Sequence, residues 1–362
     1  MTNSIAQSAL IKRVHTFMAN ACTEEQTNEG EFSSLALDLA RFQIQNTPFL
    51  SRYFGAPNWD KIERWDQLPL LPISAYKEAR ITSLGEGEDE VQFYSSGTTM
   101  KDRSCHYHDS NTLAVYKDSL LRWFHLHFRD RQPLTIISLT PCMGEAPHSS
   151  LVYMFHQIAT VEGGGEWGFV GKSNPEGWVV DFGKFLEKLR RATEKGIPVL
   201  ITGTAFNYVQ LLDELDSKQD YTLPKGSLVL ETGGYKGRTR ELTKDALYLE
   251  IQKLFGITRK QIVSEYGMCE LSSQGYDFED AKQGRCFQMP PWARFRVLSP
   301  ETGLELPEGE TGILAIYDLA NVASYTGLMT EDLAIRRADG FEWQARSSNN
   351  PVKGCSLFVA GK

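Results

Sequence analysis

Between residues 134 and 268 short apolar runs alternate with longer amphipathic ones, and few folds accept that order. "LTIISLT", "IPVLITGT", "GSLVLETGG" and "QIVSEYGM" are rich in Ile, Val and Leu and bounded by turn residues, the pattern of strands buried in a sheet. The stretches between them repeat apolar residues at helical spacing. "SSLVYMFHQIAT", "AFNYVQLLDELDS" and "TRELTKDALYLEIQKLFG" read as helices, and "GWVVDFGKFLEKLRRATEKG" as one helix closed by Gly196. Thr239 or Thr243 is placed to cap the helix that ends at Gly256. Strand–helix alternation implies an α/β core with largely parallel pairing.

The flanks read differently. Residues 1–90 are mainly helical: "EFSSLALDLARFQIQNTPFLSRYF" keeps a helical period, with Ser33 or Ser34 as possible caps. "QLPLLPISAYKEA" is proline-punctuated and extended before it turns helical. Residues 91–286 form the α/β core, including an amphipathic helix "SNTLAVYKDSLLRWFHLHF" that starts near Asp109 or Ser110. Residues 287–362 change texture again. "ARFRVLSPETGLELPEGETGILAIYDL" is two strands around a turn region, and "LAIRRADGFEWQAR" a hairpin around Asp339-Gly340, so this part is a smaller, β-rich lobe.

Composition narrows the function. The net charge of -8 with no basic block argues against nucleic acid, which needs clustered cations. The N-terminus lacks the apolar core of a signal peptide, and no run is long enough to span a bilayer; both fit a cytoplasmic protein. Cys22, Cys105, Cys142, Cys269, Cys286 and Cys355 form no C-x-x-C pair, so free thiols are expected, most of them buried.

Several motifs match only by letter. Gly163 to Gly168 spells G-x-G-x-x-G, but a dinucleotide fingerprint needs a strand before it and a helix after. Here a helical run precedes and the turn-rich "FVGKSNPEG" follows. His106 with His108, and His125 with His127, have no third ligand nearby, which suits a surface or half-buried role better than zinc.

"VQFYSSGTTMKDRSCHYHDS" carries more chemistry. A strand breaks into Ser95, Ser96, Gly97, Thr98 and Thr99, followed by Lys101 and Arg103. Successive backbone N–H groups, hydroxyls and cations suit an anion, although a polar strand-to-helix turn has the same letters. In "SEYGMCELSSQ" a strand delivers Tyr266, Gly267 and then Glu270 to the end where ligands bind α/β sheets. Tyr266 can stack on a base and Glu270 can hold magnesium; equally, one packs in the core and the other caps a turn. "ETGGYKGRTRE" is a glycine-bearing strand end that could face a purine. Asp332 in "TEDLAIR" can accept from ribose hydroxyls, or sit solvated in a hairpin, and Arg346 opens the last segment.

Taken in order, these pieces resemble the adenylate-forming enzyme superfamily, from about residue 65 to the end. "LPLLPISAYKE", "ETGGYKGRTRE", "SEYGMCELSSQGYD" and "KGCSL" look like the LuxE-type acyl-protein synthetases within it. The resemblance implies a body of layered α/β sheets with a small β-rich lobe. It also implies ATP-dependent adenylation of a long-chain fatty acid, transfer of the acyl group to an enzyme cysteine, and delivery to a reductase partner. ATP and Mg2+ are the implied cofactors. Position by position, Ser95, Ser96, Gly97, Thr98 and Thr99 would embrace the phosphates, with Lys101 or Arg103 adding charge. Gly233 and Gly234 would line the adenine and Tyr266, followed by Gly267, would stack on it. Glu270 would bind the metal, Asp332 the ribose, and Arg346 ribose or phosphate. Cys355 stands where the family's acyl-accepting cysteine lies, with Cys269 as its rival.

There are departures from the superfamily pattern. Met100 replaces a glycine, "TEDL" replaces Thr-Gly-Asp, and the usual C-terminal lid of roughly a hundred residues is not expected in a chain ending at Lys362. Other readings remain: an acyl- or aryl-CoA ligase resembling phenylacetate–CoA ligases, a donor to a carrier protein, or a non-catalytic nucleotide-binding subunit.

Overall fold

The computed structural model describes residues 2–23, 28–96, 103–128, 134–164, 167–174, 177–215, 219–233, 242–280 and 284–346. The chain divides into two compact units, residues 1–123 with 267–362, and residues 124–266.

The first unit opens with helices α1 (Thr2–Ala21), α2 (Glu29–Asn46) and α3 (Pro48–Phe54). Ser33 does not cap α2. The helix starts four residues earlier, where the Asn28 side chain accepts from the Glu31 N–H at 3.1 Å, and Ser33 is buried within it. The apolar face dictates this: Phe32, Leu35, Ala36, Leu39 and Ala40 are all buried, so the helix must already be running at Phe32. β1 (Leu71–Pro72) and α4 (Ala75–Glu78) come next, then the antiparallel pair β2 (Val91–Tyr94) and β3 (Cys105–His108). α5 (Ser110–Phe128) follows, capped by Asp109, whose Oδ1 accepts from the Thr112 N–H at 2.8 Å.

The second unit is built on a parallel sheet. Its strands are β4 (Thr135–Ser138), β5 (Trp167–Phe169), β8 (Val199–Thr204), β9 (Leu228–Thr232) and β10 (Ile262–Tyr266), in spatial order β10-β9-β8-β4-β5. The side pair β6 (Gly171–Asn174) and β7 (Gly177–Val180) is antiparallel. Thus "FVGKSNPEG" supplies strand rather than turn alone, and "GWVV" is β7 rather than the start of a helix. Trp178, Val179 and Val180 are β-formers, and Asp181 beyond them caps α7 (Phe182–Lys195) by accepting from the Lys184 N–H. Gly196 closes α7 with φ of 66°, a left-handed conformation that a side chain would strain. α6 (Ser150–Glu162), α8 (Ala205–Glu214) and α9 (Lys244–Phe255) complete the unit, and Thr243 is the cap of α9. Ile137, Val199, Ile201 and Val229 of the strands pack with Phe185, Tyr208, Leu247 and Phe255 of the helices in one apolar core. Gly163 ends α6 and Trp167 begins a strand, the reverse of the strand-to-helix order a dinucleotide fingerprint needs.

The chain then returns to the first unit with β11 (Gly275–Asp280), β12 (Gly284–Gln288), β13 (Ala293–Leu298), β14 (Thr311–Asp318), β15 (Gly327–Arg337) and β16 (Gly340–Arg346). These pair antiparallel in the order β13-β14-β15-β16-β12-β11, with β1 added parallel to β15. Among the described residues no helix is long and apolar enough to cross a membrane.

Candidate active site

The first unit gathers one group of the expected residues around the β2–β3 hairpin. The Ser95 N–H donates to the Ser104 carbonyl at 3.0 Å, and the Ser104 N–H donates to Ser95 Oγ at 2.8 Å. This clasp closes the base of the loop between them. Ser96, exposed, and Arg103 stand at its two ends. Gly97, Thr98, Thr99, Met100 and Lys101 lie outside the described residues.

The hairpin is fastened to the stretch that carries Glu270. His106 Nδ1 lies 2.9 Å from the Cys269 carbonyl, which can only accept, so that nitrogen carries the proton. The Cys269 thiol donates in turn to the Phe93 carbonyl at 3.2 Å. His106 and His108 are therefore not surface residues: both are buried, with ring centroids 4.4 Å apart. Their alternate positions on β3 point to one face, where Phe93 and Tyr116 enclose His108. Burial lowers the pKa of His106 to about 4, and pushes that of His108 well down, so both are neutral at pH 7. Cys269 is also settled by its surroundings. Burial and the adjacent Glu270 hold its pKa well above that of an ordinary thiol, which makes it a structural donor and a poor nucleophile.

Glu270 is 5% exposed. Burial raises its pKa, while Ser104 and the positive charges of Arg346 and Lys77 pull the other way. A carboxylate in this position gains from a cation. Among the described residues no three His, Cys, Asp or Glu side chains cluster into a protein-only metal cage. A single buried carboxylate fits a magnesium ion that takes its other ligands from phosphates and water.

Asp332 and Arg346 face one another across β15 and β16. Asp332 Oδ1 accepts from the Trp343 indole at 3.2 Å, and its backbone N–H donates to Thr330 Oγ1 at 3.1 Å, which holds the carboxylate in place. Arg346 Nη2 is 3.6 Å from Glu331 Oε2 in an exposed pair. Gly267, exposed, is the first residue of this unit's returning chain.

The second unit places the other group. Tyr266 ends β10 and Gly233 directly follows β9, the neighbouring parallel strand, where Glu265 registers with Thr232. Both thus stand at strand carboxyl ends, the binding edge of a parallel sheet. Tyr266 is buried. Gly234 is outside the described residues. Sequence reasoning missed two acids here. Glu231 is buried, its Oε2 accepting from the Tyr248 hydroxyl at 2.7 Å and the Ser264 hydroxyl at 3.1 Å. Burial raises the pKa of Glu265 to about 7, against a hydrogen bond from Thr232 and with repulsion from Glu231. A carboxylate inside an apolar strand run was the available signal. Cys355, the expected acyl acceptor, is outside the described residues. The five described cysteines are all free thiols; Cys269 and Cys286 are buried and the other three only partly, against the expectation that most would be.

Solved structures share this fold. A 2-hydroxyisobutyryl-CoA ligase in the postadenylation state, in complex with 2-HIB-AMP, superposes with a TM-score of 0.60 at 12% identity, over 85% of this chain. An open conformation of the same ligase, with 2-HIB-AMP and CoA, gives 0.59 at 11% identity over 87% of this chain. The chain spans 63% and 70% of those two structures. The fold is that of the adenylate-forming enzymes. Within that class the match becomes specific: residues 58–360 fit the family "Acyl-protein synthetase, LuxE", and the chain belongs to it. The long-chain-fatty-acid–luciferin-component ligase of Vibrio harveyi is 24% identical over 316 residues, 83% of this chain and 79% of that protein. The ligase of the same name from Aliivibrio fischeri is 22% identical over 320 residues, 83% of this chain and 80% of that protein. The protein is accordingly an enzyme of the ligase kind.

Proposed function

We propose that the protein activates a long-chain fatty acid with ATP and carries the acyl group on a cysteine of its own, for delivery to a reductase partner. The observation that carries this reading is the fastening of the β2–β3 hairpin to the Glu270 stretch through His106, Cys269 and Phe93. It couples the base of a phosphate-type loop to a buried carboxylate. Family membership and the names of the two bacterial relatives support the acid and the acyl-protein product.

The chemistry is an in-line displacement followed by an acyl transfer. An oxygen of the acid's carboxylate bonds to the α-phosphorus, and the bond to pyrophosphate breaks. Ser95 to Thr99, with Lys101 or Arg103, bind the phosphates, while Tyr266 and Gly233 take the adenine and Asp332 and Arg346 the ribose side. Magnesium held at Glu270 would offset phosphate charge when bound. The adenylate is a mixed anhydride, so the Cys355 thiolate can attack its carbonyl, forming a thioester as AMP leaves. The protein then acts between a step that supplies free acid and one that reduces an acyl thioester.

Two variants test this. Glu270→Gln should abolish fatty-acid-dependent ATP–pyrophosphate exchange, and Cys355→Ala should keep that exchange yet lose a hydroxylamine-sensitive acyl label. Normal exchange in the first removes the metal role from Glu270. A full label in the second moves the acceptor to another thiol.

A further inference from the structure

Residues 267–274 follow a strand as irregular backbone, yet from Cys269 onward they are buried. Irregular buried backbone must find hydrogen-bond partners outside a helix or sheet ladder. Here several come from two side chains at and just past the end of β14. Asp318 Oδ2 accepts from the Ser272 N–H at 3.0 Å, and its Oδ1 from the Ser273 hydroxyl at 2.7 Å and the Ala320 N–H at 2.9 Å. Asn321 Nδ2 donates to the Glu270 carbonyl at 3.0 Å and to the Tyr325 carbonyl at 3.2 Å.

A second tier holds these two in turn. From α2, Gln43 Nε2 donates to the carbonyls of Asn321 at 2.6 Å and Val322 at 3.1 Å, and its Oε1 accepts from the Thr326 N–H. Thr326 Oγ1 donates to the Asp318 carbonyl at 2.8 Å. Ser273 also meets Ser119 at 3.0 Å, which accepts from the Trp292 indole. Asp318, Asn321, Gln43 and Thr326 are all fully buried.

Burying an acid is costly, and apolar packing could fill the same volume at less cost. The arrangement instead directs its hydrogen bonds at the carbonyl of Glu270 and the N–H two residues on. We propose that Asp318 and Asn321 are positioning residues that hold the Glu270 peptide so its carboxylate meets the metal-bearing nucleotide. The inference rests on the magnesium role of Glu270 given above. Outer partners of a metal ligand act this way by fixing its direction, and losing one weakens metal affinity about 10-fold to 100-fold.

The test measures ATP–pyrophosphate exchange by the full-length protein as magnesium is titrated, with thermal melting to establish that each variant is folded. Asp318→Asn loses the acceptor for one of its N–H partners, and Asn321→Ala loses both donated bonds. Each should raise the half-saturating magnesium concentration about 10-fold, with near wild-type exchange at saturating metal and unchanged ATP binding in EDTA. A merely structural role would lower the folded fraction and leave the magnesium midpoint in place. An unchanged midpoint in folded variants overturns the inference. Should Asp318→Asn not fold, Asn321→Ala decides alone, since it leaves the three bonds to Asp318 intact. A normal magnesium dependence in Glu270→Gln instead overturns the metal reading, and this inference with it.

Discussion

In the second unit one apolar core joins strands to helices, and the buried acids Glu231 and Glu265 stand near the carboxyl ends of β9 and β10. In the first unit hydrogen-bonded side chains run through the interior from Gln43 in α2 to Asp318 at the end of β14. Apolar contacts are non-directional, so they stabilise without fixing one geometry closely; a satisfied polar network fixes directions. The second unit's apolar core is therefore a platform whose substitutions register as stability. The first unit's interior is where substitutions should register as altered chemistry.

The sharpest way to break that contrast is Phe185→Ala. Phe185 is fully buried in the second unit's core, and its loss should cost about 3–5 kcal/mol of stability. Exchange by protein that remains folded should keep its magnesium midpoint, measured alongside chemical denaturation. A shifted midpoint would mean the platform also sets the site.

A smaller effect comes from His106 and needs the sign worked out. Its folded pKa of about 4 lies below the ordinary 6.5, so as pH falls from 6.5 the unfolded chain takes up a proton that the folded one refuses. Its contribution to stability is full above 6.5 and is lost progressively down to pH 4, by about 3 kcal/mol. Asp318, raised by burial to about 6, and Glu265, raised to about 7, work in the opposite direction, costing stability at neutral pH that returns as they protonate. Comparison of His106→Gln with the parent isolates the histidine, because Gln keeps an N–H donor for the Cys269 carbonyl. Denaturation midpoints from pH 7 to 4.5 should fall less steeply in the variant. Parallel curves would show that His106 is protonated in the folded state.

The smallest effect belongs to the cap of α9. Thr243→Ala removes a bond of 3.3 Å from the Ala246 N–H and should cost about 1 kcal/mol, with exchange unaltered. Loss of exchange without loss of stability would tie α9 to catalysis.

The platform was largely legible in the sequence, because its signal is local. The runs that became β4, β8, β9 and β10 are short, β-branched and bounded by turn residues, and Thr243 and Gly196 mark helix ends by their own backbone chemistry. β7 was hidden because "GWVV" continues without a break into the α7 pattern, and Asp181 is the only letter that divides them. At the candidate site, Glu270 and the stretch from Ser95 stand out in the sequence as motifs. His106, Asp318, Asn321 and Gln43 do not. Each is a single polar residue whose partner lies far along the chain, as Cys269 lies 163 positions from His106. No periodicity reports such a pairing, and an isolated Asn or Gln reads as surface until its partner is seen.

The bond between Gln43 and Asn321 also sets a clock. Its ends are 278 residues apart, so a ribosome adding about 5–20 residues per second needs roughly 14 to 56 s to supply the second after the first. The second unit is one unbroken stretch, and all of it is synthesised inside that interval. During biosynthesis the platform can therefore be complete while Glu270 still lacks the side chains that hydrogen-bond its peptide, and a nascent chain bearing a finished parallel sheet is not yet an enzyme.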